Sequence, residues 1–195
     1  MDRQATRGGM MGVGGEAPVL TEIATLDAIL TAHTTQLGDD FTLYRNHCYR
    51  VANLCAAQSP GGAQQIEKIA VAVAFHDLGI WTDGTFDYLQ PSVRLARAYL
   101  AGPAKAEWEP EVSEMILNHH KISRYGQNPA WLVESFRRAD WIDVTWGVLR
   151  FGLPRRTIRK LYETWPDAGF HKRLVQLELA HLRKHPFNPL PVLKL

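Results

Sequence analysis

The chain has 195 residues and a mass of 22.0 kDa, the size of one domain with tails. Hydrophobic residues at 46% and charged residues at 22% exclude a disordered chain, a collagen-like chain and a coiled coil. A net charge of +2 without a polybasic stripe argues against a nucleic-acid polymer as partner, and no apolar run of about 18 residues is present to span a membrane.

Residues 1–18 are rich in glycine, lack any helical period and carry no apolar segment of a secretion signal, so they read as a disordered tail. Residues 19–36 place Leu20, Ile23, Leu26, Ile29 and Leu30 at helical spacing, and Gly38 ends that stretch. Asp39 or Asp40 can cap the next helix, which runs to about Gln58 with Tyr44, His47, Cys48, Val51, Leu54 and Cys55 on one stripe. Cys48 and Cys55 lie two helical turns apart, about 10 Å, too far for a disulfide. Reduced thiols fit a cytoplasmic protein.

A turn at residues 59–62 leads to a third helix with Ile66, Ile69, Ala70, Val73, His76 and Asp77 inward, for which Gly79 is the expected stop. Residues 80–90 read as a loop rich in aromatic and acidic side chains. Pro91 suits the first turn of a helix reaching about Ala101. Glu109-Pro110 opens a helix carrying Val112, Met115, Ile116 and His119. A loop at 124–128 follows, and Pro129 opens the helix that carries Phe136, Ala139, Asp140 and Asp143. Further helices are expected at 155–164 and 167–185, ahead of a Pro-rich tail at 186–195. Nothing alternates as a strand, so the fold class is all-α, one compact helical bundle over residues 19–185.

The informative residues are polar ones on apolar stripes. A buried aspartate is costly unless it is paired or binds a metal. His47, His76, Asp77 and Asp140 sit on inward stripes of three separate helices, which fits a site of nitrogen and oxygen donors. Alone, each has a plainer reading: a hydrogen-bonded core histidine, a capping Asp77, or an Asp140 paired with Arg137 or Arg138.

The ordered set resembles the HD-domain superfamily of metal-dependent phosphohydrolases. The matching text is YRNHCYRVAN, AVAFHDLGI, MILNHHKIS and FRRADWID, within residues 40–145. The resemblance implies an all-helical fold and a metal held by His47, His76, Asp77 and Asp140, with Asp143 as the fallback for Asp140. It implies one divalent transition metal, Mn, Fe, Co, Ni or Zn, which mixed His and carboxylate ligation does not separate. A second ion is the alternative. His119-His120 matches an adjacent pair found in two-metal relatives, but no His lies between Asp77 and His119.

The implied reaction is hydrolysis of a phosphoester on a small-molecule substrate, with Asp77, His119 and His120 as catalytic residues. Arg50, Trp81, Lys121 and Arg124 are the candidates for substrate binding. Where many relatives carry a Lys or Glu, three residues after the aspartate, this chain has Ile80. That departure keeps two other readings open: hydration of a small neutral substrate, as in cyanamide-hydratase-type relatives, and a non-catalytic binding module. Aromatic residues near Trp146 and Trp165 leave a homo-oligomer open.

Overall fold

A computed structural model describes residues 18–186 together with 192 and 193. The glycine-rich tail expected at the N-terminus, apart from Pro18, and most of the Pro-rich one lie outside these residues. The described chain is all-α. Its helices are α1 (Ala24–Ala32), α2 (Thr34–Leu37), α3 (Phe41–Ala56), α4 (Ala63–Phe75), α5 (Gly79–Thr82) and α6 (Leu89–Leu100). They continue as α7 (Glu109–Asn118), α8 (Val133–Val144), α9 (Arg155–Thr164) and α10 (Phe170–Lys184). Short 3-10 turns, Gly38–Asp40 and Ala106–Trp108, precede α3 and α7. No helix among the described residues is long and apolar enough to cross a membrane.

Helix α3 is the axis of the bundle. Residues 46 to 55 are buried without interruption, so α3 is enclosed on all sides, as a central helix must be. It packs on α8 and α4, and α9 and α10 close its remaining side. Helix α4 fits against it because Ala70, Ala72 and Ala74 alternate with Val71, Val73 and Phe75, and this small apolar run is wholly buried. Helix α7 packs on α4, α6 and α8. Both cysteines are buried free thiols in α3.

The structure departs from the sequence reading at four joints. The first helix is divided at His33, whose Nδ1 bonds back to the Ile29 carbonyl at 2.9 Å. Gly79 does not stop α4. The α-helical ladder ends at Phe75, i−3 bonds from Leu78 to Phe75 and from Ile80 to Asp77 tighten the chain, and Gly79 opens α5. Glycine is required there by space: a Cβ would lie 2.7 Å from the Tyr88 carbonyl oxygen and 2.9 Å from both Pro91 Cβ and Ser92 Oγ. Helix α5 therefore replaces the start of the expected 80–90 loop. The fourth departure is at Pro129: α8 begins only at Val133 because the buried Glu111 carboxylate of α7 accepts the Leu132 N–H at 2.8 Å and caps it from outside.

Near the C-terminus, Val192 is buried against Ile80, Tyr88 and Leu89.

Candidate metal centre

Four helices bring their polar residues to one buried point. Helix α3 supplies His47, the end of α4 supplies His76 and Asp77, the end of α7 supplies His119 and His120, and α8 supplies Asp140. All but His120 are buried, and His120 keeps 17% of its side chain exposed. Ligating atoms of His47, His76 and Asp140 lie within 4.8 Å of one another. The same holds for His76, Asp77 and His119, and for His119, His120 and Asp140.

Hydrogen bonds orient three of the rings. His47 donates from Nδ1 to Asp143 Oδ2 at 2.7 Å, His76 to the Val73 carbonyl at 2.8 Å and His119 to the Ile116 carbonyl at 2.6 Å. Each partner is an acceptor only, so the proton is fixed at Nδ1 and a lone pair is left at Nε2. The Nε2 atoms of His47 and His76 then face each other at 2.9 Å. Two lone pairs at that distance repel unless a proton or a cation lies between them. Donors set at right angles about 2.1 Å from one ion would be about 3.0 Å apart, which matches.

The carboxylates complete the arrangement. Asp77 Oδ2 lies 3.1 Å from His76 Nε2 and 3.6 Å from His47 Nε2, while its Oδ1 lies 3.2 Å from His119 Nε2. Asp140 Oδ1 is 3.8 Å from both His47 and His76 Nε2, and its Oδ2 is 3.4 Å from His120 Nδ1. Among the described residues, Asp77 Oδ1, both Asp140 oxygens and His119 Nε2 are buried without a hydrogen-bond partner. Orphaned buried oxygens of this kind call for a cation. The donor set therefore fits a divalent transition metal.

Without an ion the electrostatics of these groups diverge, and burial raises the Asp140 carboxyl. Burial raises the Asp77 carboxyl, but His76, His119 and His47 around it hold it well below the usual carboxylate range. Burial opposes charge on His47, yet its bonds to Asp143 and Asp77 push it up to about 9, so without an ion a proton fills the gap between the His47 and His76 Nε2 atoms, and a bound metal would take its place. Burial and the neighbouring imidazoles push His120 well below its ordinary value, so this ring is neutral at physiological pH.

The comparison with known families decides what this arrangement is: the model of the HD domain matches residues 44–145, just over half of the chain. The chain belongs to the HD domain family. No curated protein and no solved structure matches it. In this HD domain the matched segment runs from α3 to the end of α8 and contains all six of the converging His and Asp residues.

The HD domain also shows where the other candidates lie. Arg50 is fully buried and turned away from the donors. Its Nε and Nη2 bond Asp143 at 2.6 and 2.9 Å, and its Nη1 bonds the Trp165 and Pro166 carbonyls, both at 3.1 Å. Asp143, the fallback ligand, has its oxygens taken by Arg50, His47 and the Tyr162 hydroxyl. Trp81 bonds Asp40 through Nε1 at 2.9 Å and rests 4.7 Å from the Tyr44 ring, which itself stacks on His76. Lys121 is half-buried, its carbonyl accepting from Arg137 and Trp141. Arg124 is exposed on the loop after α7.

Two contributors were not assigned from sequence. Phe170 of α10 stacks on His47 at 3.9 Å. Tyr88 is buried, and its hydroxyl shares a 2.6 Å hydrogen bond with His120 Nε2. No sequence signal locates Phe170. For Tyr88, the aromatic loop after the His-Asp pair was the only hint.

Proposed function

We propose that this HD domain is a metal-dependent phosphohydrolase acting on a small phosphoester. The observation that carries the reading is the pair of buried aspartates: Asp77 Oδ2 and the unpartnered Asp140 Oδ1 converge with the Nε2 atoms of His47 and His76. These four residues would hold the ion. Bound there, a divalent transition metal supplies Lewis acidity and lowers the pKa of a coordinated water toward neutrality.

The chain's own groups do the rest. Asp77, held anionic by the surrounding imidazoles, orients the attacking water and accepts its hydrogen bond. His120, partly exposed and neutral, faces incoming substrate, and it shares one proton position with the Tyr88 hydroxyl. The His120 ring is the group we assign to hydrogen-bond a leaving oxygen. His119 brings its Nε2 to 3.2 Å from the second oxygen of Asp77, where a shared proton or cation would join the two. Arg124, exposed on the loop beyond, is a cation that would meet a phosphoryl group, with Lys121 half-buried nearby. Arg50 instead positions His47 through Asp143.

Two second readings each rest on one observation. His119, His120 and Asp140 form a further donor set, which would hold a second ion. Ile80, buried and apolar where many relatives place a Lys or Glu, favours hydration of a small neutral substrate.

Metal analysis of protein purified without chelator, beside assays with p-nitrophenyl and bis-p-nitrophenyl phosphate in Mn²⁺, Co²⁺ or Ni²⁺, tests the proposal. It expects about one ion per chain and phosphoester turnover, both lost in His76→Ala/Asp77→Ala with helicity kept. Bound metal with no turnover of any phosphoester would leave the hydratase reading. No bound metal after reconstitution would reject the enzyme altogether.

A further inference from the structure

A second concave site lies beside the metal centre. It is a groove of about 440 Å³ between α5, the loop after it and α10. That volume falls within the range of small-molecule sites. None of the six His and Asp residues of the metal centre lines it.

The lining is divided by chemistry. Trp81, Phe86 and Leu177 give it an apolar side. His181, Lys184 and His185, from the last turn of α10 and the residue beyond, give it a basic side. His181 joins the two: its ring lies 5.5 Å from Phe86 and stacks at 4.7 Å on His185. Arg173 also lines the groove, with its Nε on Asp40 at 2.7 Å. No carboxylate lines the groove among the described residues. Ile80 is part of this wall, so the residue that departs from the family pattern contributes apolar surface here.

We propose that this groove binds an organic anion with a flat apolar body. The body lies against Trp81, Phe86 and Leu177, and the negative group meets the basic end of α10. A helix C-terminus by itself repels anions, so the Lys184 ammonium must supply the attraction. Trp81 links the groove to the metal centre, since it touches Tyr44, which stacks on His76 at 6.1 Å. The same chemistry serves either the remote half of the substrate or a separate ligand.

Calorimetric titration of the full chain with naphthalene-1-sulfonate, and with the neutral naphthalene-1-sulfonamide, reads the groove without any need for turnover. The sulfonate should bind one per chain, and the sulfonamide at least about tenfold more weakly, the worth of one charge-assisted contact. Ala180→Trp, an exposed change that fills the groove, and Lys184→Glu should each weaken the sulfonate by about tenfold or more, with an unchanged circular dichroism spectrum. Equal binding of the two probes, no binding at all, or undiminished binding in Ala180→Trp would overturn the proposal. If the phosphoesterase reading holds, the sulfonate either raises KM alone, which makes the groove part of the substrate site, or leaves KM unchanged, which makes it a separate site. Both outcomes uphold the groove, and neither is needed for the titration.

Discussion

Arg50 grips both carboxylate oxygens of Asp143, at 2.6 and 2.9 Å, in an ion pair with no exposed surface. The same carboxylate receives the His47 Nδ1 proton, so a salt bridge between α3 and α8 also sets the ring that faces the metal position. Removing one partner leaves the other charge buried. Arg50→Met is expected to lower stability by about 3–5 kcal/mol. Urea denaturation measures it, and a loss below about 1 kcal/mol would mean that Asp143 finds other partners.

Asp143→Asn addresses the same carboxylate from the metal side. The amide can still pack, but it no longer fixes the Nδ1 proton of His47. Metal affinity should fall about 10–100-fold, as for other residues that orient a ligating histidine. A chelator competition titration reads this directly. Unaltered affinity would restrict Asp143 to holding Arg50.

His119 separates one ion from two. With its Nδ1 committed to the Ile116 carbonyl, its Nε2 points at Asp77 Oδ1. In a one-ion protein, His119→Ala keeps about one metal per chain, whereas in a two-ion protein it drops the count from about two to about one. Plasma emission analysis beside wild type decides between them.

Gly79→Ala should destabilise the fold by about 1–3 kcal/mol through overpacking. The added methyl meets the Tyr88 carbonyl, the Pro91 ring and the Ser92 hydroxyl, and the first of these is backbone that cannot rotate away. A thermal midpoint equal to wild type would show that α5 and α6 can separate at no cost.

Glu134 supplies a pH dependence. It accepts from Arg137 Nε at 2.8 Å, Arg138 Nε at 2.7 Å and the Tyr125 N–H at 2.9 Å. Burial raises its carboxyl, but these bonds outweigh burial and bring it from 4.5 down to about 2. A carboxyl lowered on folding stabilises above its unfolded value and loses that contribution as pH falls toward the folded one. Glu134→Gln should therefore cost on the order of 1 kcal/mol at pH 7, after allowance for solvent screening. The difference from wild type should shrink steadily below about pH 4.5. A difference that stays constant from pH 7 to pH 3 would contradict the assignment.

Some of this was legible from local pattern. The helix expected at 155–164 is α9, because Pro154 fixes its start and Ile158 and Leu161 mark its single inward face. His47, His76, Asp77 and Asp140 each stood on an apolar stripe, and a polar residue there must find a partner inside. Gly79 misled because a glycine after an apolar helix usually ends it, whereas here it answers to the Tyr88 carbonyl of another segment. Pro129 misled similarly, since the cap on α8 comes from Glu111, 21 residues before Leu132.

Spacing along one helix placed both Asp140 and Asp143 inward and could not divide their roles. In the fold Arg50, 93 residues away, claims Asp143 together with His47 and Tyr162, while the oxygens of Asp140 stay unpartnered. By itself the sequence determined the all-α class and which residues turn toward the core, because those follow from helical periodicity and the cost of burying polar groups, while its ordered His and Asp motifs carried the resemblance to the family. The tertiary structure decided which carboxylate keeps unpartnered oxygens among the converging histidines, that Arg50 bonds the carboxylate that orients His47, and that Tyr88 bonds His120. These depend on distances between helices, and no period within a single helix encodes them.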